Sequence, residues 1–358
     1  MSDHNNDILR VSLEDLAEIA PAAPAPVAAE GTGATGARSY GNIHEPADPT
    51  ILSQEKGSFF LKAWVYLGIA GFFGALIGWG CAEPFFVDGQ GFRWGNILLL
   101  PVIVAVMCIG FAVAESIVER SLRKGAIRVG IAIPLGIVLG FFFNFVANIL
   151  YRIGLGIGAA AGMQTNHNPA WWIIRGIAWA VFGVAGGIVY GIIGRSGKKI
   201  GYGALGGAIG AALGGMIFDP ISFGVEKYLH HESGTLSRAV GFTILGMATG
   251  IAMGLVESAL KDRWLYVTAG PLAGKQFILY KPVTIMGSAQ TSDIYLFKDL
   301  EILPAHATLS QKGDRVYVNA EGPVFMAGSR IYSSRMLENG AVLQIGRYSF
   351  RYQEKARG

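Results

Sequence analysis

Charge is what this sequence has least of: only 15% of its 358 residues are Asp, Glu, Lys or Arg, against about 25% in soluble proteins. Cysteine is nearly missing as well. Cys81 and Cys108 cannot make a disulfide framework, and both sit in or beside apolar runs as small hydrophobic residues. No Cys/His cluster has metal-ligand spacing, since His230, His231 and Glu232 are adjacent rather than a turn apart, so neither metal nor cofactor is implied. The first fifty residues lack the apolar core of a signal peptide, which leaves the first membrane segment to act as its own targeting signal. No Ser/His/Asp set or paired carboxylates stand at useful spacing, and no glycine run ends in the Lys-Ser/Thr of a phosphate-binding loop. An enzyme is therefore not expected. A net charge of +4 is too small to imply nucleic acid, and the basic residues gather at the ends of apolar stretches instead.

What is abundant is apolar surface. The hydrophobic share is 52% and the mean hydropathy +0.42, concentrated between about residues 57 and 260. Crossing a bilayer takes about 20 mostly apolar residues in a helix. Six segments qualify, at 58–80, 96–117, 127–150, 170–194, 200–222 and 238–260. Arg120, Arg123 and Lys124 follow the second, Arg195, Lys198 and Lys199 the fourth, Lys261 and Arg263 the sixth. Positive residues mark the cytoplasmic side, and these clusters share one side only if there are six spans. Both termini then face the cytoplasm, as in a multi-pass protein of a bacterial inner membrane. Residues 1–56, rich in Ala, Pro and Gly, are expected to be a disordered cytoplasmic tail, apart from a short amphipathic stretch between Ile8 and Ile19.

The spans repeat one another. Arg175, Trp179, Gly183, Gly187 and Gly191 recur 63 residues later as Arg238, Phe242, Gly246, Gly250 and Gly254. Arg120-Ser121-Leu122-Arg123-Lys124 likewise matches Arg195-Ser196-Gly197-Lys198-Lys199, pointing to a repeated helical hairpin. Glycines four apart line one helix face and let backbones approach closely, which drives association in lipid. They are expected to pack the bundle or to join copies in a homo-oligomer, with a glycine-lined pore as the functional alternative. A transport path usually needs ionisable groups at membrane depth, and few are offered. Arg175 and Arg238 are placed to snorkel at one end, Glu115 and Glu257 lie near the other, and Asn144 with Asn148 reads as an interhelical hydrogen-bonding pair.

From Trp264 the pattern changes to short alternating strands. Nine are expected, at 265–268, 276–279, 284–286, 294–296, 306–310, 315–319, 324–326, 342–345 and 348–352, which makes 264–358 an all-β sandwich. Its landmarks in order are Gly270-Pro271-Leu272, Gly274-Lys275-Gln276-Phe277, Ile285-Met286-Gly287-Ser288, Ser292-Asp293-Ile294, His306-Ala307-Thr308-Leu309, Gly328, and Asn339-Gly340 with Leu343-Gln344-Ile345-Gly346. This series resembles a forkhead-associated (FHA) domain, and the glycine-rich spans are similar to those of bacterial membrane proteins that carry one. The resemblance implies loops that bind phosphothreonine peptides. In the family an Arg after the first-loop Gly grips the phosphate, a Ser three before the His contacts it, and an Asn before a later Gly orders the peptide. Here those positions hold Ser288, Leu303 and Ala327, while Gly287, His306 and Gly346 persist in structural roles. A dianion needs charge-assisted donors, which a serine does not supply. Lys298, Arg330 and Arg335 are the basic residues left to form any other phosphate site.

The expected protein is thus a membrane-anchored scaffold, in contact with lipid and an unidentified cytoplasmic protein, presenting an FHA-like module without orthodox phosphothreonine recognition. A channel or transporter regulated by that module is the alternative. The topology has a direct check: a reporter that is active only outside the cytoplasm, fused after Gly358, should be silent, and an active fusion would reverse the orientation.

Overall fold

The computed structural model describes residues 58–87, 93–162, 169–229 and 234–355. The amino-terminal tail, its amphipathic stretch and the His230-His231 pair lie outside them. Six helices are long and apolar enough to cross a membrane: α1 (Ala63–Ala82), α2 (Trp94–Val118), α3 (Leu122–Ala160), α4 (Pro169–Ile193), α5 (Gly197–Leu229) and α6 (Gly234–Leu260). α3 and α5 run about a turn or more beyond the expected apolar stretches at both ends. The connections α2–α3 and α4–α5 are built alike. Arg120 and Arg195 take left-handed backbone angles (φ 53° and 52°), and the Ser that follows each caps the next helix. Ser121 Oγ accepts from the Lys124 N–H at 3.3 Å and Ser196 Oγ from the Lys199 N–H at 3.4 Å.

Each helix packs against its neighbours in sequence, and α6 returns to pack on α1, closing a ring. The two glycine series face partners within the chain. Gly183, Gly187 and Gly191 of α4 meet α5, and Gly246, Gly250 and Gly254 of α6 meet α1. A Cβ on Gly187 would lie 2.0 Å from the Gly203 carbonyl oxygen, and one on Gly250 would lie 2.0 Å from that of Leu67. Only hydrogen fits there. Inside the ring α2, α4 and α6 contribute Ile103, Met107, Trp179, Phe182, Phe242 and Leu245 around a void of about 20 Å³. The Trp179 and Phe242 rings stack at 5.6 Å. α3 turns Ile137, Phe141 and Phe145 outward, and its Asn144 inward to donate to the Ile97 carbonyl at 3.2 Å. Asn148 Nδ2 donates to Asn144 on the same helix.

At the ring end away from the β domain, the expected snorkelling of the arginines gives way to burial against partners. Arg238 pairs with Glu83 at 2.6 Å and lies over Phe86, and Arg175 lies over the rings of Tyr151, Trp179 and Phe218. An ion pair satisfies a guanidinium at membrane depth where water cannot.

Two residues after α6 the chain enters a two-sheet sandwich. Its strands are β1 (Arg263–Ala269), β2 (Gln276–Ile278), β3 (Val283–Gly287), β4 (Ile294–Tyr295), β5 (Ala307–Lys312), β6 (Arg315–Ala320), β7 (Val324–Met326), β8 (Ser329–Arg330), β9 (Arg335–Leu337), β10 (Val342–Ile345) and β11 (Tyr348–Glu354). One sheet runs β2-β1-β11-β10-β7-β8, the other β4-β3-β5-β6-β9, antiparallel except for β3 beside β4. Alternate residues of both sheets fill the core, among them Leu265, Val267, Met286, Leu309, Val318, Leu343, Ile345 and Phe350. The sequence pattern misses β8 and β9, which are two and three residues long and too exposed to alternate clearly.

Gly187→Leu or Gly250→Leu should push two helices apart and lower the thermal midpoint of the detergent-solubilised chain, at a cost of about 1–3 kcal/mol or more. Gly130→Leu, where a Cβ meets nothing within 4 Å, should leave it unchanged. Equal midpoints for all three variants would contradict the packing.

Candidate functional site

Three loops at one end of the sandwich carry most of the positions where the family resemblance puts its ligand contacts. His306 is 2% exposed and ties them together. Its Nδ1 accepts from the Leu303 N–H at 3.1 Å and its Nε2 faces the Pro323 carbonyl at 2.9 Å, which fixes the proton on Nε2. The His306 carbonyl accepts from the N–H groups of Glu321 and Gly322, both at 2.9 Å. Ser288 Oγ donates to the Ile302 carbonyl at 2.6 Å, and its N–H donates to the Leu303 carbonyl at 2.9 Å. The hydroxyl is spent within the loop and is not free to donate to a phosphate. Leu303 is 44% exposed and Leu300, on the same loop, fully so. Ala327 does not join the cluster. It lies in the β7–β8 hairpin, where Ala327 (φ 50°) and Gly328 (φ 77°) form a two-residue turn with both angles positive. Arg330 lies over Tyr332 there, and Lys298 and Arg335 are exposed on other segments.

A second constellation went unrecognised in the sequence. Between the ring and the sandwich is a cavity of about 610 Å³, to which all six helices contribute. Its floor is the buried pair Glu115–Lys199, with Lys199 also over the Tyr190 ring at 4.1 Å. Beside it Glu257 accepts from Tyr190 at 3.1 Å and from Tyr280 of the β domain at 2.5 Å. Glu119 binds Lys124 at 3.2 Å and Arg128 at 3.0 Å. Lys124 also donates to the Asp293 carbonyl at 3.1 Å, and Ser121 Oγ to the Gln290 carbonyl at 3.3 Å, so the α2–α3 turn grips the β3–β4 loop. Arg120 lies over Phe297, and Lys198 pairs with Asp262 at 2.6 Å. The roof carries Lys275, 5% exposed, its ammonium over the Phe277 ring at 4.7 Å.

The electrostatics follow from burial. Burial pushes Lys275 down to about 8, against the opposing pull of Glu119 and Glu115. Burial would raise the Glu119 carboxyl, but Lys275, Arg128 and Lys124 outweigh it and hold it at about 2. The signal for this site was present in Glu115, Glu119 and Arg128, three charges in or beside apolar helices. Such charges need partners, and Lys199, which looked like a topology marker, is one.

No protein-family model matches the chain, and no curated protein does. Solved FHA domains are similar to its carboxy-terminal region. One, from a structural and functional analysis of phosphothreonine-dependent FHA domain interactions, is 15% identical, with TM-score 0.25, covering 27% of this chain and 100% of its own. The FHA domain of the CT664 protein from Chlamydia trachomatis is 27% identical over the same shares, with TM-score 0.25. The cytoplasmic domain of the type III secretion sorting platform protein PscD from P. aeruginosa is 20% identical, with TM-score 0.24, covering 27% of this chain and 83% of its own.

Docking of the sandwich on the ring should depend on pH through these groups. Part of what holds Glu119 down is Lys275, which departs with the β domain. Docking therefore keeps its Glu119 contribution above about 4.5 and loses it as pH falls toward 2. Lys275 acts oppositely: its burial opposes docking below about 8 and is relieved as pH rises from there toward 10.5. Energy transfer between dyes on the ring and the sandwich should fall on acidification and hold or rise above pH 8; a flat acid limb would contradict the assignment.

Proposed function

We propose that the chain is a membrane-anchored interaction protein whose helical ring holds an FHA-like module at the cytoplasmic face, where it binds a protein partner without a phosphothreonine grip. The commitment of the Ser288 hydroxyl to the Ile302 carbonyl carries this reading. The position that would need a guanidinium has neither charge nor a free donor, and its neighbours Leu300 and Leu303 present apolar surface instead. Apolar side chains on a loop held by a buried imidazole suit a protein partner, because little conformational freedom is lost on contact. The cytoplasmic orientation rests on the basic loops after α2, α4 and α6.

A regulated channel is supported less well. Trp179, Phe182 and Phe242 fill the ring, and the adjoining void of about 20 Å³ is too small for a hydrated ion. No group of three or more His, Cys, Asp or Glu suited to a metal stands among the described residues.

Calorimetry of the intact chain in nanodiscs against a phosphothreonine peptide library and its unphosphorylated twin should show no phosphate-dependent binding. Micromolar binding that requires the phosphate would contradict the proposal. Partner capture from membranes should weaken in a Leu300→Ser, Leu303→Ser double variant and disappear when residues 264–358 are deleted; undiminished capture by the double variant would remove the apolar loop from the interface.

A further inference from the structure

The cavity between ring and sandwich has a charge imbalance that the fold does not explain. Nine basic side chains face it against four carboxylates, Glu115, Glu119, Glu257 and Asp293. Those carboxylates are engaged by Lys199, by Lys124 and Arg128, by Tyr190 and Tyr280, and by Lys281, Glu115 through Oε1 alone with its Oε2 unpartnered. Five cations are left over, of which Lys261 donates to Gln276 and Lys62 lies over the Phe59 ring, leaving three. Lys275 has no hydrogen bond or ion pair among the described residues although it is 5% exposed, and Arg123 and Arg195 at the rim have none either. An ammonium withdrawn from water without an acceptor is costly, and a ring stacked beneath it offsets only part of that. Arg195 adds a second cost. It occupies a left-handed turn position where glycine would be unstrained, which makes sense if a guanidinium is needed at that rim.

We infer that this cavity binds a small phosphate-bearing anion, held by Lys275 from the sandwich and by Arg123 and Arg195 from the two matching helix turns. A phosphate group brings up to two negative charges and at least three acceptor oxygens, enough to serve an ammonium and two guanidinium groups together. A volume of about 610 Å³ suits a molecule of nucleotide size. Because ring and sandwich each supply part of the site, the anion bridges them and favours the docked arrangement by its affinity for that state alone. The phosphate can arrive on a soluble molecule or on the headgroup of a lipid.

The test uses the intact chain in phosphatidylcholine nanodiscs, with inorganic pyrophosphate as probe and calorimetry as readout, beside discs containing phosphatidic acid read by native mass spectrometry. Lys275→Gln removes the buried cation and Arg123→Gln an exposed one that folding does not need; Arg330→Gln, on the distant hairpin, is the control. Saturable pyrophosphate binding weakened about tenfold or more by either site variant, and unchanged by the control, supports the site with a soluble ligand. Silence toward pyrophosphate, with phosphatidic acid retained by the wild type and lost from Arg123→Gln, supports it with a lipid. No binding of either probe, or binding that Arg123→Gln leaves unchanged, overturns the inference. So does a loss shared equally by Arg330→Gln.

Discussion

Charged side chains buried where the helices meet the sandwich impose the constraint on which the rest of this structure depends. Glu115 and Lys199 are both nearly inaccessible and reach each other from helices far apart in sequence. Either one alone at that depth would be an unpaired charge, which costs several kcal/mol. The pair therefore fixes the relative positions of α2 and α5. Glu119 does the same for the α2–α3 turn, whose Lys124 continues into the β3–β4 loop, and Glu257 joins α4 to the sandwich through Tyr190 and Tyr280. With only two residues between α6 and β1, the sandwich has little freedom to settle elsewhere.

The ring itself obeys a different rule. Lipid gives apolar side chains no reason to leave their surroundings, so contact area and close approach decide which helices meet. Glycine supplies the approach at Gly187 on α4 and again at Gly250 on α6, 63 residues later, each against a carbonyl of the helix beside it. The same turn recurs too, with a left-handed Arg and a capping Ser at Arg120-Ser121 and Arg195-Ser196. The six helices close into a ring with an aromatic interior. At the sandwich end it opens into a wide, positively charged cavity.

Much of this was legible in the sequence, for definite reasons. Six apolar stretches of spanning length and three basic loops on alternate connections are signals that lipid makes strong. Nine of the eleven strands showed in alternation and turn residues, and Val324–Met326 and Val342–Ile345 keep the expected bounds. What was hidden depends on distant partners. The pairing of Lys199 with Glu115, 84 positions away, has no local signature, and a lysine after an apolar helix looks the same whether it faces water or a carboxylate. Lys275 sits beside a glycine in an ordinary loop pattern and becomes unusual only when the ring covers it. Ser288 shows what is missing from the sequence, but only the structure shows that its hydroxyl is already taken.

The sandwich is seated on the ring through buried charge. Amide hydrogen exchange of residues 274–281 and 288–293 tests it most directly, with the intact chain in a bilayer compared with isolated residues 262–358. Exchange should be markedly slower in the intact chain at these segments and equal at the β7–β8 hairpin, which stands clear of the contact. Equal exchange at all three would mean that the sandwich hangs free of the ring, and the account would fail.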